Sequence, residues 1–405
     1  MRNLIVPPGA APGTERLVLA RAIRGAVDGF ASLVLVVYLA DLGFSQLEIG
    51  ALVTAMLFGS AMLTLAVGLA GGRLRERAVL FAACALMLVT GLGFSAFSTW
   101  WPLLVVAFVG TLNPSEGDVS VFLPTEQSLL AGAVAGGERI ALFARYNLAG
   151  ALAGALGSLA AGLPELVASA LGAPRSSAFR FAFAIYGLAA LPIAGLYRGL
   201  PERSASHEAA APLARSRAVV LRLTALFALD SFGGGFAVKA MLALWLFQRF
   251  GLSTQTAGAV FFVASLLAGF SQLGSTWLAA RIGLIRTMVY THLPANAFLV
   301  LAAFMPSAPL AVTFLLLRMA FSQMDVPARQ SYVMAIVPPE ERAAAASVTN
   351  VPRSLASALS PSLSGALLAL SSFGWPLVIG GALKIAYDLL LLAQFRNAPP
   401  PDEPG

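Results

Sequence analysis

Charge is what this sequence has least of. Of its 405 residues only 11% are Asp, Glu, Lys or Arg, against 58% hydrophobic, and the mean hydropathy is +0.82. A water-soluble domain carries roughly 25% charged residues. A soluble fold is thereby excluded, and a chain of many membrane-spanning segments is expected. The single cysteine, Cys84, excludes a disulfide framework. Two lone histidines, His207 in a polar stretch and His292 in an apolar one, make no metal cluster. No Gly-x-x-x-x-Gly-Lys-Ser/Thr loop is present, which argues against ATP-driven pumping. No His–Ser–Asp or His–Glu arrangement suggests an intramembrane hydrolase. The chain is therefore expected to be no enzyme and to carry no cofactor or metal. Lysine is nearly missing, with Lys239 and Lys384 the only two. The pI near 10.1 invites a nucleic-acid reading. That reading fails because the surplus arginines sit in short loops between apolar runs, where membrane topology explains them.

What is there is written twice. Pro124-Thr125-Glu126-Gln127-Ser128, then Glu138-Arg139 and Asn147, recur in register as Pro327-Ala328-Arg329-Gln330-Ser331, Glu341-Arg342 and Asn350. Gly162 returns as Gly365, and Asp28-Gly29-Phe30 as Asp230-Ser231-Phe232. Anchors on a common offset indicate a duplicated half. Glu126 in one copy stands where Arg329 stands in the other. Gly43-Phe44-Ser45 returns as Gly251-Leu252-Ser253 at a longer offset. The change of offset predicts a loosened or broken helix around Gly233-Gly234-Gly235.

Twelve spans are expected: 17–40, 47–70, 78–97, 101–131, 138–162, 178–197, 217–248, 255–279, 286–305, 308–337, 341–370 and 374–396. Several exceed the roughly 20 residues that a span needs, so they must tilt or bend, with Pro114, Pro124 and Pro327 as bending points. The fold class is all-α membrane protein: two six-helix bundles related by a pseudo-twofold along the membrane normal. The expected organisation is a disordered tail over 1–14, a bundle over 15–197, a polar linker over 198–216, a second bundle over 217–396 and a tail over 397–405. The first residues do not read as a signal peptide. Arginines collect on one side, among them Arg16, Arg73, Arg75, Arg77, Arg139, Arg198, Arg281, Arg286 and Arg342. That places both termini in the cytoplasm and the protein in the plasma or inner membrane.

Ionisable groups at a helix centre cost roughly 2.5–3.5 kcal/mol each on insertion scales, so they should face water or one another. Arg21, Arg24 and Asp28 form one stripe, and Arg318, Asp325 and Arg329 another. Asp118, Arg145, Asp230 and Lys239 add to them. The structural reading has Arg21 snorkelling to the cytoplasmic face, and Asp28 and Asp230 in static pairs with Arg24 or Lys239. It also pairs Arg318 with Asp325, and has Glu341 and Arg342 closing a loop by capping. The functional reading is a solute path lined by spans 1, 4, 7 and 10. There Arg24, Asp28, Asp118, Arg145, Asp230, Arg318 and Asp325 bind solute or proton. Arg24 and Arg318 suit a carboxylate or phosphate. Glu126 and Arg329, with Arg73 and Arg281, are the expected cytoplasmic gate.

Twelve spans in parallel halves with a polar linker resemble the major facilitator superfamily. Its loop between spans 2 and 3 is approximated by Gly68-Leu69-Ala70-Gly71-Gly72-Arg73-Leu74-Arg75-Glu76-Arg77, with Gly72 and Arg75 departing from the family's Asp and second Gly. Arg281-Ile282-Gly283 is a partial second copy. Gly150, Gly154 and Gly157 resemble the span-5 run of its antiporters, although Ala155 stands where a proline would follow. The resemblance implies a monomeric, proton-coupled carrier of a small polar or amphipathic solute, working by alternating access in the bilayer, with export favoured. The rival is a transporter-like sensor that binds a ligand without moving it. It would be marked by a sizeable soluble signalling domain, which tails and a linker this short do not supply.

Overall fold

A computed structural model of the chain describes residues 5–70, 75–115, 120–134, 136–200, 213–338 and 341–396. Among them the backbone is helical with no strand, as hydrocarbon demands of an open chain whose peptide groups must bond within their own segment. The helices are α1 (Thr14–Asp41), α2 (Gln46–Ala70), α3 (Glu76–Ala96), α4 (Trp100–Val109), α5 (Phe122–Ala131), α6 (Gly136–Leu159), α7 (Leu163–Leu171), α8 (Arg175–Leu188) and α9 (Ala190–Arg198). They continue with α10 (Arg217–Gly235), α11 (Lys239–Phe250), α12 (Thr254–Ile282), α13 (Leu284–Phe304), α14 (Ala308–Phe321), α15 (Asp325–Ile336), α16 (Arg342–Leu370) and α17 (Trp375–Phe395). Ten helical stretches among the described residues are long and apolar enough to cross a membrane. The two expected spans outside that set are the fourth, which is split into α4 and α5, and the eleventh, the 29-residue but more polar α16.

The chain forms two compact units. One contains α1 to α9 together with Ser253–Phe262 at the start of α12; the other contains α10, α11, the rest of α12 and α13 to α17. In each unit the first and fifth spans press together. A Cβ built on Gly25 of α1 would come 2.4 Å from the Gly150 carbonyl oxygen of α6, and one on Gly157 would come 1.9 Å from that of Ala26. In the second unit a Cβ on Gly235 of α10 would come 2.3 Å from the Ser357 carbonyl oxygen of α16. Small residues at these contacts let backbones approach to where dispersion is strong. The repeat read from the sequence is thus also a repeat of packing.

Four expectations change. The fourth span is not continuous from 101 to 131. Gly110 is extended, and Asn113 precedes Pro114, which disfavours helical geometry at that residue. The Asn113 side chain accepts from the Ser115 N–H and hydroxyl at 3.1 and 2.8 Å, closing a turn in place of the helix. In the tenth span the break lies at Ser322–Met324, not at Pro327, and Ser275 Oγ donates to the Met324 carbonyl at 2.6 Å. Pro327 and its repeat partner Pro124 both fall in the first turn of a helix, where a missing N–H costs nothing. In the seventh span the glycines remain helical and the break follows them, at Phe236–Val238. Ser360 and Ser364 of α16 donate to the Phe232 and Phe236 carbonyls at 2.5 and 3.0 Å, satisfying acceptors left open at that end. Finally, residues 5–13 are packed, not disordered: Val6 and Ala10 are buried, and the Ala11 N–H donates to the Ala133 carbonyl at 2.8 Å.

Glu341 does cap, but on a distant segment. Its carboxylate accepts from the backbone N–H groups of Ala214, Arg215 and Ser216 at 3.2, 2.9 and 3.1 Å, and from the Ser216 hydroxyl. It thereby pins the residues leading into α10. The Arg342 side chain lies outside the described residues, as does that of Glu138. The Ser216 hydroxyl bond and the backbone N–H bonds hold the Glu341 carboxyl down at about 2. A depressed carboxyl contributes stability above its unfolded value and loses it as pH falls through the folded one. The clamp should therefore persist through the neutral range and open only near pH 2. Glu341→Gln should speed hydrogen exchange of the 214–216 amides at pH 7, read by mass spectrometry, while leaving the interior of α13 unchanged.

Candidate functional sites

Each unit buries a set of ionised side chains. In the first, α1 supplies Arg24, α5 Glu126, α6 Tyr146 and α9 Tyr197, all buried, with Glu126 at 0% exposure. The Arg24 guanidinium Nη2 and the Tyr146 hydroxyl both bond to Glu126 Oε2, and the Tyr197 hydroxyl donates to Oε1. The Arg24 guanidinium also stacks 4.3 Å over the Phe122 ring. One acid, one base and two hydroxyls make a neutral network joining spans 1, 4, 5 and 6, in which both Glu126 oxygens are used and the Arg24 Nε is left without a partner.

The second set is larger. Asp230 on α10 accepts from Lys384 Nζ on α17 at 2.5 Å and lies 3.5 Å from Arg329 Nη1 on α15. Arg329 Nη1 also bonds Asp325 at 3.0 Å, one helical turn away. His292 on α13 stands between two acids, with Nδ1 2.8 Å from Asp388 Oδ1 on α17 and Nε2 3.7 Å from Asp230 Oδ1. Asn296, one turn from His292, donates to Asp388 Oδ2 at 2.9 Å. Spans 7, 9, 10 and 12 meet here. At the repeat position shared by Glu126 and Arg329 the sign reverses: a span-4 acid holds a span-1 base in one unit, and a span-10 base faces a span-7 acid in the other.

The expected partners change accordingly. Asp230 is neutralised by Lys384 and Arg329, not by Lys239, and Asp325 bonds Arg329 and not Arg318. Arg24 bonds Glu126 with Asp28 only within electrostatic reach, so its charge is already met. Asp28 is half-buried and shares a side-chain hydrogen bond with Tyr186. Arg145 is half-buried on α6. Arg21 is half-buried and lies 5.6 Å over the Tyr146 ring, with its Nε buried and unbonded. Of the expected gate residues, Glu126 and Arg329 are each bonded inside their own unit. Arg281 is exposed and stacks 4.0 Å over Trp277, while Arg73 and Asp118 lie outside the described residues.

Arg318 on α14 is the exception. Its Nε is buried without a hydrogen-bond partner, and its Nη1 reaches Met319 Sδ at 3.5 Å, a weak acceptor. Among the described residues no carboxylate lies within 4 Å of it.

The family profile of the Major Facilitator Superfamily matches residues 17–324 and 240–405. The chain belongs to the Major Facilitator Superfamily. As a member it is a multi-pass membrane transporter and not an enzyme. An uncharacterized membrane protein of Saccharomyces cerevisiae is 25% identical to it over 405 residues, covering 91% of this chain and 90% of that one. Three solved carriers share the fold. A bacterial homologue of the human lysosomal transporter Spinster, inward-facing and occupied, has a TM-score of 0.76 at 13% identity, over 95% of this chain and 97% of the other. The nucleoside transporter NupG gives 0.72 at 14%, over 95% and 99%. A D-xylose-proton symporter gives 0.69 at 15%, over 93% and 96%.

Sequence reading missed Tyr146, Tyr197, His292, Asn296, Lys384 and Asp388. The tyrosines carry no local signal. The other four do: His292 with Asn296 and Lys384 with Asp388 are polar pairs one turn apart inside apolar spans, which places each pair on one helix face.

Proposed function

We propose that this superfamily member is a secondary active transporter that moves a small polar or amphipathic solute carrying a carboxylate or phosphate. In this reading it is monomeric, driven by protons, and works by alternating access, with export the favoured direction. It lies in the plasma or inner membrane with both termini cytoplasmic. The observation that carries the reading is Arg318, a buried guanidinium in a span that makes no ion pair among the described residues and has Asp230 only within electrostatic reach. A planar donor fork of this kind suits an oxyanion. One carrier of the same fold is by name a proton symporter, which supports coupling. The glycine-lined contact of α6 on α1 supports export, through its likeness to the antiporters' span-5 run. We assign closure of the cytoplasmic side to Arg73 and Arg281, and to Glu126 and Arg329 the bracing of the two moving halves.

Flux into proteoliposomes against a panel of anionic, neutral and cationic solutes tests this. Arg318→Gln should lower flux of the transported anion about tenfold or more, and Arg318→Lys by less, since a charged hydrogen bond is worth roughly 1.5–3 kcal/mol. A panel in which only uncharged solutes move, equally well in Arg318→Gln, would sink the anion assignment.

A further inference from the structure

We propose that His292 and Asp388 form the proton-binding site of this carrier, with Asp230 as the group through which the proton enters and leaves. The inference deepens the proton-coupled reading and rests on it. Both residues are buried, at 3% and 0% exposure, on spans 9 and 12. The charges facing His292 are Asp388 and Lys384 on α17, Asp230 on α10, and Asp325 and Arg329 on α15. Arg318 on α14 lies within electrostatic reach of Asp230, and the Tyr387 hydroxyl is buried without a hydrogen-bond partner. Lys384 and Arg329 match Asp230 and Asp325. Asp388 is left with two partners, His292 and the uncharged Asn296. With Lys384 bonded to Asp230, a proton held by the ring and the Asp388 carboxyl together neutralises it.

The geometry assigns the ring nitrogens. Asn296 Nδ2 lies 3.1 Å from His292 Nδ1 but also donates to Asp388. A bond to a carboxylate is the stronger, so Nδ1 carries hydrogen and donates to Asp388 Oδ1. In the neutral ring, Nε2 then holds a lone pair facing Asp230 Oδ1 across 3.7 Å, too far for a hydrogen bond. A proton arriving at Nε2 makes an imidazolium between two carboxylates, draws Asp230 toward α13 and competes with Lys384 for the same oxygen. On release the Nε2–H bond breaks, the proton passes to Asp230 and then to water on the other side, and Lys384 recovers Asp230. One proton enters and one leaves, and α10 is the helix that responds.

The chain has two histidines, so His207→Gln protein labelled with 15N-histidine shows one ring by NMR, without any solute. Nδ1 should stay protonated while Nε2 titrates. Asp388→Asn should lower the midpoint by about one pH unit or more, and Lys384→Met should raise it. A ring that keeps one state from about pH 5 to pH 9, or a midpoint indifferent to Asp388→Asn, overturns the assignment. In dye-loaded proteoliposomes supplied with the same solute panel, His292→Gln should reduce solute-driven proton movement at least tenfold, a larger factor than its effect on solute counterflow. Equal reduction of both overturns the inference. If the unaltered carrier moves no protons with any solute that it exchanges, the coupling reading fails by itself, and the ring titration alone decides whether the site binds a proton.

Discussion

Glu126→Gln should destabilise the first unit by about 3–5 kcal/mol, the usual cost of removing one partner of a buried ion pair. The change keeps shape and volume almost intact, so lost packing is not the cause. It leaves the buried Arg24 guanidinium without its bonded counter-charge, with Asp28 only within electrostatic reach, and the Tyr146 and Tyr197 hydroxyls with a weaker acceptor. Arg24→Met added to Glu126→Leu should recover most of the loss, because an apolar pair of similar volume avoids desolvating either ion. The chain contains its own reporter. Cys84, its single thiol, is 4% exposed and lies within electrostatic reach of both Arg24 and Glu126. A thiol-reactive fluorophore therefore reads opening of this unit directly. Unfolding midpoints should fall sharply in Glu126→Gln and return in the double apolar variant. A double variant no better than the single one would mean that the network, not the stranded charge, carries the stability.

Gly157→Val should be strongly disruptive without any change of charge. Its Cβ would sit 1.9 Å from the Ala26 carbonyl oxygen and 2.8 Å from the carbonyl carbon, both backbone atoms of α1 that cannot swing aside. The two helices must separate, at a cost of about 1–3 kcal/mol or more for overpacking. Gly195 on α9 is the matching control, since nothing lies within 4 Å of a Cβ built there. Gly195→Ala should be neutral or slightly stabilising, because alanine favours a helix interior over glycine by up to about 1 kcal/mol. Thiol accessibility and folded yield in detergent check both. A tolerated Gly157→Val would show that α1 and α6 can slide past each other.

The two variants probe different parts of what could be read in advance. Gly157 belonged to a glycine run visible in the sequence, and the structure gives that run a physical job, the close contact of spans 1 and 5. Glu126 was visible as a charge out of place and as the repeat counterpart of Arg329. Its partner was not visible: Arg24 lies 102 residues away, and Lys384 lies 154 residues from Asp230. No helical spacing connects residues so far apart. The breaks in spans 4, 7 and 10 were legible as regions, through Pro114, the Gly233–Gly235 run and Pro327, but were shifted by several residues. At each break a side chain bonds nearby backbone, as Ser275 does Met324 and Ser360 does Phe232.

By itself the sequence determined the membrane class, the twelve spans and the duplication. Lipid admits only long apolar helices with their backbone bonds made inside the segment, and a repeated half preserves its anchors in register. Only the tertiary structure decided which charges neutralise one another, that Arg24 is spent on Glu126 while Arg318 is left open, and that a histidine links Asp388 to Asp230. Those outcomes depend on separations of a few ångströms between different helices in a medium of low dielectric. There a charge must find its partner across the bundle, and the partner's place in the chain has no bearing on the match.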